Sequence, residues 1–367
     1  MHIEKIELHN FRNYSNLELE FSKNVNLILG KNAQGKTNLL EAVYLTAIGR
    51  SFRTSKDIDL VKFNENNSIV KVWAEKELNS TTVEISIKRK GEKSSEKFIK
   101  KDKKNVTRTS QLLKNILIVI FSPEDLKIVK DEPEKRRKFI DRELSQISPK
   151  YYNSLSNYKK SLLQRNTYLK EEHLEPSIID IWDVQLSKYG AEVIFLREKF
   201  IEKLSGYSSK IHSGITGGKE KLDILYEPNV EIKQSLSEQE DFIYSELKNS
   251  FKTDSRNRNT SVGPHRDDIL FVVNDIDMRN FGSQGQQRTC ALSLKLAELN
   301  LIKEKTDEDA ILLLDDVMSE LDADRQEFLI DTMKNNQLFI TTTELDQNIK
   351  DKFKELKIFY IENGNLI

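Results

Sequence analysis

Residues 27–43 read LILGKNAQGKTNLLEAV and place two glycines, a lysine and a threonine between an apolar strand and an apolar helix. Within them, residues 30–37 match the pattern GxxxxGK followed by Ser or Thr, in the strand–loop–helix setting that the pattern requires. The glycines let backbone N–H groups converge on phosphate oxygens, and the start of the helix adds a favourable dipole. The segment predicts a phosphate-binding loop, with Lys36 on the β and γ phosphates and the Thr37 hydroxyl on Mg²⁺. A glycine turn that matches by chance is the less favoured interpretation.

A second segment, residues 310–322 (AILLLDDVMSELD), predicts the acidic partner of that loop. Its apolar residues indicate a buried strand, and open parallel sheets bind their ligands at the carboxyl ends of such strands. We expect Asp315 to hold magnesium through water and Asp316 to polarise the attacking water as a general base. Taken alone, an acidic pair after an apolar strand suits a helix cap equally well. The phosphate loop favours the catalytic interpretation.

A third segment, FGSQGQQR at residues 281–288, predicts a second phosphate site. Ser283 stands at the N-cap of an apolar helix, and Gly285 allows close approach of the backbone. Such a helix start can bind phosphate. Because one phosphate cannot easily use two helix ends from one face of a fold, we expect this segment to meet the nucleotide of a second copy. An ordinary capped helix is the alternative.

Composition excludes several other classes of site. The 58 basic and 59 acidic residues balance, so any site for a polyanion must be a local patch. The single cysteine, Cys290, excludes an internal disulfide framework and a cysteine-based zinc cluster, and the five histidines lie too far apart to suggest a metal site. No apolar run approaches the roughly 20 residues of a membrane span. We expect a soluble, cytoplasmic protein without a membrane partner.

The spacing of apolar residues changes twice along the chain, which indicates an α/β domain interrupted by a helical segment. Residues 68–99 alternate between apolar and polar and predict a β-meander. From about residue 134 to 250, apolar residues recur at spacings of three and four, which predicts long helices that form an antiparallel arm with a turn near 172–177. Beyond this segment, strands and helices alternate again.

This order of motifs resembles the ATP-binding-cassette heads of chromosome-maintenance ATPases. More narrowly, the chain resembles the RecF family of bacterial DNA replication and repair proteins over essentially its whole length. The combination of GPHRDD with SQGQQRT is the specific part of the resemblance, whereas the phosphate loop alone is generic. The segments that carry the resemblance are LHNFRNY (8–14), GKNAQGKTNLLEAV (30–43), GRSFRT (49–54), FSPEDL (121–126), PEKRRKFID (133–141), GPHRDD (263–268), SQGQQRT (283–289) and LLLDDVMSELD (312–322).

The resemblance implies an α/β fold, namely an ABC-type P-loop ATPase head with an antiparallel β-meander and an inserted helical domain that forms a short antiparallel arm. The two halves of the head would be residues 1–125 and 258–367, and the insertion would be residues 126–257. ATP and magnesium would be bound by the phosphate loop, whose residues are Gly30, Lys31, Asn32, Ala33, Gln34, Gly35, Lys36 and Thr37. Asp315 and Asp316 would be the Walker B pair, with Thr37 and Asp315 as the metal ligands.

The signature that acts in trans would consist of Ser283, Gln284, Gly285 and Gln286, and residues 319–322 would meet their twin across a dimer. Two departures from wider cassette ATPases stand out. The second Walker B acid is aspartate rather than glutamate, which suits slow hydrolysis and a switch rather than a motor. The last predicted strand is followed by Thr341 to Thr343 instead of a histidine, so the γ-phosphate sensor stays open, as does the choice between Glu124 and Asp125 at the Q-loop position.

Two arginines have alternative interpretations. Arg12 precedes the phosphate loop by one hairpin and is a candidate for binding the nucleotide, with a surface arginine as the alternative. Arg266 in GPHRDD either reaches phosphate or tethers the insertion. The alternative is a rigid turn held by Asp267 and Asp268.

The resemblance implies an ATP-dependent DNA-binding protein of recombinational repair and replication restart. ATP would drive a homodimer onto double-stranded and gapped DNA and onto junctions of single and double strands, and slow, DNA-dependent ATP hydrolysis would release it. The implied partners are RecR, with RecO and RecA downstream. Candidate contacts to the DNA backbone are Lys88, Arg89, Lys90, Lys93, Lys97, Lys100, Lys101, Lys103, Lys104, Lys135, Arg136, Arg137 and Lys138, although runs of charge are more often solvated faces.

Three other classes of ATPase fit less well. A transporter ATPase subunit usually has an insertion about half this long between phosphate loop and signature. A structural head with a long coiled coil would need hundreds of heptad residues and a CxxC apex, and an overcoming-lysogenization nuclease would need an acidic nuclease domain after the head.

Overall fold

A computed structural model describes residues 1–76, 79–92, 94–107, 109–344 and 355–367 of the chain. Its strands are β1 (His2–Phe11), β2 (Tyr14–Glu20), β3 (Val25–Leu29), β4 (Asn67–Glu75), β5 (Ser80–Arg89), β6 (Ser95–Lys101), β7 (Lys104–Asn105), β8 (Ile118–Phe121), β9 (Leu222–Glu227), β10 (Asp268–Val273), β11 (Ile276–Asp277), β12 (Ile311–Asp315), β13 (Leu338–Thr342), β14 (Leu356–Glu362) and β15 (Asn365–Leu366). Its helices are α1 (Lys36–Ile48), α2 (Pro133–Ile147), α3 (Pro149–Tyr168), α4 (Pro176–Ile215), α5 (Leu236–Asn257), α6 (Met278–Phe281), α7 (Gln284–Thr306) and α8 (Ala323–Thr332).

The described residues divide into two compact units. The head unit consists of Met1–Asp125 and Glu298–Ile367, and the helical unit consists of Leu126–Ala297. The boundary expected between residues 257 and 258 differs from this division, because β10 pairs with β9 and β11 in a separate three-stranded sheet. Residues 258–297 therefore lie in the helical unit. Their assignment to an ATPase head stays a prediction.

The strand before the phosphate loop, β3, lies inside a six-stranded sheet of order β15-β14-β3-β13-β12-β8. It pairs in parallel with β13 and β14, and β12 pairs in parallel with β13 and β8. All residues of β3 and β12 are buried, as expected of strands that are covered on both faces. Because β13 alone separates these two strands, the segments that follow them meet at one edge of the sheet.

The expected meander forms β4, β5 and β6 in an antiparallel sheet of order β2-β1-β4-β5-β6-β7. Val70 pairs with Ile85, and Ile85 pairs with Ile99; all three side chains are buried. One core cluster joins this sheet through α1 to the parallel sheet, since Leu39 of α1 and Leu313 of β12 belong to it as well. Helix α1 therefore has apolar neighbours on several sides and no single apolar stripe.

The helical unit contains the expected antiparallel arm. Helices α3 and α4 pack against each other, and α5 packs on α4. The side chains of Ser148 and Ser235 cap the starts of α3 and α5, while a proline begins α2, α3 and α4, where its missing N–H is not needed. Within the described ranges, no helix combines the length and the apolar character needed to cross a membrane.

Strands β8, β9 and β14 fall outside the strands that the sequence predicts. The four residues of β8 are all apolar, and a run this short does not distinguish strand from helix by period. Strand β9 follows the long helix α4 and pairs with β10. Because this partner is over 40 residues away, local sequence does not indicate that β9 is a strand.

Candidate nucleotide-binding site

The phosphate loop turns sharply at Gly35, whose φ is 118°, and Lys36 begins α1. The Lys36 ammonium donates to the carbonyl oxygens of Gly30 at 2.8 Å and Lys31 at 3.3 Å. Its side chain is only 3% exposed, and its Nζ lies 3.9 Å from Oδ2 of Asp316. The cation is thus held inside the curve of the loop, beside the second acid.

The structure brings together Thr37 and Asp315, the two expected metal ligands. The Thr37 hydroxyl donates to Oδ1 of Asp315 at 2.8 Å, and the Thr341 hydroxyl donates to the same oxygen at 2.9 Å. Burial raises the pKa of Asp315, although both hydrogen bonds act in the opposite direction. A hydroxyl and a carboxylate are hard oxygen donors, so this pair fits Mg²⁺ that keeps several of its waters.

Asp316 has a φ of 51°, a left-handed conformation that is uncommon outside glycine and that Asp tolerates better than most residues. Its backbone N–H donates to Thr341 Oγ1 at 2.9 Å. Thr341, which the sequence suggested for the neighbourhood of the γ phosphate, is fully buried and joins both acids. The turn at Asp316 directs a side chain that is 37% exposed towards Lys36.

Two turns donate hydrogen bonds to backbone carbonyl groups of the phosphate loop. The Asn13 amide and the backbone N–H of Gly364 both donate to the Gln34 carbonyl, at 2.8 Å and 3.0 Å. The Tyr14 hydroxyl donates to the Gly35 carbonyl at 2.9 Å. Because a loop whose N–H groups converge on phosphate turns carbonyls outward, these donors satisfy groups that would otherwise lack partners. The β1–β2 and β14–β15 turns are therefore part of the site.

The loop borders a recess of about 340 Å³. Its lining residues are Asn32, Ala33, Gly35, Lys36, Thr37, Asn38, Arg53 and Asp316. Arg53 donates to Asn38 Oδ1 at 2.7 Å. Arg53, Asn38 and Asn13 were not among the residues predicted from the motifs. The signal that could have indicated them was their place within the segments NFRNY, GKNAQGKTN and GRSFRT.

Arg12 lies against the buried Glu41 of α1, to which its Nε and Nη2 donate at 2.8 Å and 2.7 Å. Its Nη1 donates to the Asp59 carbonyl at 2.8 Å. Arg12 lines a neighbouring recess of about 670 Å³, together with Asn38 and Arg53. It is not among the residues that border the phosphate-loop recess in the described part of the chain. Its role in binding the nucleotide stays a prediction.

The signature segment lies in the helical unit. Ser283 Oγ accepts from the Gln286 N–H at 3.2 Å, and Gln286 Oε1 accepts from the Ser283 N–H at 3.1 Å, which is a capping box. The Gln286 amide also donates to Oε1 of Glu220 at 2.9 Å. Ser283 and Gln284 are exposed. The segment is thus an ordered helix start that is open to solvent.

Two acids of the GPHRDD segment form ion pairs with arginines of α2 and α4. Asp267 accepts from Arg197 Nη1 at 2.8 Å, and Asp268 accepts from Nε and Nη2 of Arg136 at 2.6 Å and 2.7 Å. Arg136 is 1% exposed, so its expected contact with DNA is wrong: the charge is used inside the helical unit. Arg266 donates to the Thr260 carbonyl at 3.2 Å.

The residues considered for the Q-loop position follow β8. Asp125 accepts from the N–H and the hydroxyl of Ser122 at 2.9 Å and 2.8 Å, so its carboxylate caps the turn after the strand. A Q-loop role for Asp125 or Glu124 stays a prediction.

The chain is similar to known proteins over its whole length. The model of the family described as "RecF/RecN/SMC N terminal domain" matches residues 2–366. The chain is 44% identical to the DNA replication and repair protein RecF of Clostridium tetani, over all of both chains. It is 42% identical to that of Clostridioides difficile, over 100% of this chain and 98% of the relative.

Two solved structures cover the whole chain. One is the recombination mediator protein RecF with ATPrS, described as part of the RecFOR pathway, with a TM-score of 0.92, 38% identity and 97% of the solved chain covered. The other is the same kind of protein with ATP, with a TM-score of 0.89, 38% identity and 96% covered.

Proposed function

The chain belongs to the RecF family, and from this premise we propose that it is an ATP-controlled DNA clamp of recombinational repair and replication restart. ATP held between two copies closes a homodimer on double-stranded or gapped DNA, and slow hydrolysis opens it. The observation that carries the proposal is the 2.8 Å contact of Thr37 with Asp315, which joins the phosphate loop to the Walker B strand across 278 residues of sequence. Relatives with structures named for ATP and ATPrS support ATP as the nucleotide.

The head-unit residues have separate roles in this proposal. Lys36 neutralises the β and γ phosphates, and Thr37 and Asp315 hold the magnesium, which supplies charge stabilisation for phosphoryl transfer. Asp316 accepts the proton of the attacking water. Its turn keeps the carboxylate 3.9 Å from the Lys36 ammonium, the group that would bind the γ phosphate.

In this proposal the signature segment, Ser283 to Gln286, forms the dimer contact. Ser283 and Gln284 are exposed at the start of α7, with backbone N–H groups suited to an anion. The recess at the phosphate loop is lined by head-unit residues in the described part of the chain. In our proposal the signature of one copy completes the γ-phosphate site of the other, so the nucleotide holds the two copies together.

Light scattering of the purified protein, with and without ATP and magnesium, tests the clamp. We expect the wild type to double in mass only with ATP and magnesium. Lys36→Arg should stay monomeric because it binds ATP weakly. Ser283→Arg should bind ATP as the wild type does and stay monomeric, because an arginine at the signature blocks approach to the second copy.

Asn249→Arg is the matched control, since it adds the same charge at an exposed position of α5 and should dimerise normally. A wild type that remains monomeric with saturating ATP contradicts the clamp. Dimerisation of Ser283→Arg at wild-type ATP concentrations contradicts a signature that acts in trans.

The DNA contacts expected from sequence separate into paired and unpaired cations. Ion pairs to neighbouring acids involve Lys90, Lys97, Lys100, Lys135 and Lys138. Lys93 lies outside the described residues. Lys103 and Lys104, at the β6–β7 turn, are exposed and have no ion pair in the described part of the chain. We propose that this turn contacts the DNA backbone.

Replacing both Lys103 and Lys104 with glutamate should weaken binding of duplex DNA at least tenfold in the presence of ATP. The slope of log K against log salt should fall by about 0.9 for each lost phosphate contact. Fluorescence anisotropy with a labelled duplex at several salt concentrations measures both quantities. Lys170→Glu with Lys188→Glu changes the same charge at exposed positions of the helical unit. An equal loss in that control would show that net charge, not the turn, is responsible.

We further propose that the closed dimer recruits RecR and, with RecO, promotes RecA loading at gaps. The solved relatives are described as members of the RecFOR pathway, which supports these partners.

A further inference from the structure

A recess of about 280 Å³ lies entirely within the helical unit, and none of its lining residues in the described part of the chain is one assigned above to nucleotide binding. Helices α2, α3 and α4 form its walls, and the GPHRDD segment contributes Pro264 and His265. Its charged lining residues are Glu134, Arg137, Lys138, Asp141, Lys159 and Arg197. The basic run of α2 and GPHRDD, two motifs that the clamp does not explain, thus meet at one cavity, which we call the α2–α3 recess.

Both acids of the α2–α3 recess already have cations. Glu134 pairs with Lys138 at 2.6 Å. Asp141 accepts from Arg197 Nη2 and from Lys159 Nζ, each at 2.8 Å. Burial alone would raise the pKa of Asp141, but Arg197 and Lys159 hold it at about 2. Neither carboxylate is therefore available to neutralise a further positive charge.

Arg137 is a lining cation with no direct ion pair in the described part of the chain. Its Nη1 donates to the Asp267 carbonyl at 2.6 Å, which is the one hydrogen bond that its five N–H groups make within the described residues. Within those ranges it has no carboxylate partner. Burial and the neighbouring Arg197 lower the pKa of Arg137 more than Asp268, Asp267 and Glu134 raise it, so the charge of this half-buried guanidinium is only partly compensated. An anion would relieve both effects.

The second arginine at the recess is fixed. Arg197, which is 2% exposed, donates to Tyr151, Pro264, Asp267 and Asp141. These four bonds use four of its five N–H groups. Burial lowers the pKa of His265 to about 4, so this imidazole is neutral at pH 7 and does not add charge. Its Nε2 donates to the Thr260 carbonyl at 3.0 Å, and its Nδ1 therefore accepts from the Tyr158 hydroxyl at 2.6 Å.

We propose that the α2–α3 recess binds a single small oxyanion, a carboxylate or a phosphate group, with the Arg137 guanidinium as its fork-shaped donor and Lys138 and Lys159 at the rim.

The size and charge of the recess limit the ligand. A volume of about 280 Å³ accommodates orthophosphate or the end of an acidic side chain. A DNA backbone is a poor fit, because a recess of this volume holds one anionic group and not a run of phosphates. The two sources of the oxyanion are free phosphate and an acidic side chain of a partner protein.

Isothermal titration with orthophosphate and, separately, with glutarate tests the proposal and distinguishes the two sources. The full-length protein should carry Lys36→Ala, so that the phosphate loop does not contribute, and ionic strength should be held constant. We expect one site with a dissociation constant of about 1 mM or below for at least one anion. Arg137→Gln should weaken binding at least tenfold, and Arg137→Lys should restore part of it, since lysine keeps the charge but loses the fork.

Lys135→Gln is the matched control, because Lys135 lies two residues earlier on α2 and pairs with Asp131 outside the recess. It should bind as the parent does. Preference for phosphate identifies free phosphate as the source, and preference for glutarate identifies an acidic side chain. Absence of binding by both anions up to about 50 mM, or binding unchanged by Arg137→Gln, overturns the proposal. If Arg137→Gln does not fold, Lys159→Gln serves as the second variant and should weaken binding severalfold.

Discussion

Replacing Arg197 with methionine is expected to lower the free energy of unfolding of the helical unit by about 3–5 kcal/mol, the usual result of removing one partner from a buried ion pair. Arg197 is the common partner of Asp141 and Asp267, whose side chains are 8% and 1% exposed. Methionine fills a similar volume but leaves both carboxylates with a reduced counter-charge. The loss should therefore come from electrostatics rather than from a cavity.

Urea denaturation measures this effect because the chain has one tryptophan in each unit. Trp182 lies on α4 and Trp73 on β4, so Trp73→Phe leaves a fluorescence probe for the helical unit alone. In that background, Lys188→Met makes the same change to methionine at an exposed position of α4 and should alter stability by less than about 0.5 kcal/mol. A loss below about 1 kcal/mol for Arg197→Met would mean that the network does not stabilise the unit.

Replacing Asp316 with asparagine is expected to reduce ATP turnover at least 100-fold, within the range of about 10²–10⁴ typical of a general base. Asparagine has the same shape and also tolerates the left-handed conformation found at this position, so the turn should be preserved. It cannot accept a proton from water. ATP affinity should change little, and the ATP-bound dimer should persist for longer than that of the wild type.

A coupled assay of phosphate release, together with a nucleotide-binding titration, separates chemistry from binding. Asp324→Asn, at an exposed position in the first turn of α8, is the matched control and should hydrolyse ATP at the wild-type rate. Turnover within threefold of the wild type for Asp316→Asn would remove Asp316 from the reaction.

Much of the fold is predictable because its periodic signals are local. The alternation over residues 68–99 predicts the meander, and β4 to β6 confirm it. The apolar spacing from about residue 134 predicts helices, and α2 to α5 confirm them. Strands β8 and β14 carry weaker local signals, because each joins the parallel sheet through a partner distant in sequence.

The site divides in the same way. One motif predicts Lys36 and Thr37 as site residues, and another predicts Asp315 and Asp316. Each pair lies in one short segment with a recognisable spacing. Thr341, by contrast, joins both acids from a neighbouring strand. The residues that support the phosphate loop come from turns near both ends of the chain. No spacing along the sequence indicates such contacts.

The sequence by itself determined the chemistry of the phosphate loop, since the positions of its glycines, lysine and threonine dictate what the backbone can bind. Only the tertiary structure decided which arginines of the basic run in α2 are buried and ion-paired. Arg136 pairs with Asp268, 132 residues away, and is buried, whereas Arg137 next to it keeps no carboxylate partner within the described residues. Adjacent residues on a helix point in directions about 100° apart, so packing against different neighbours gives two identical side chains different electrostatic environments.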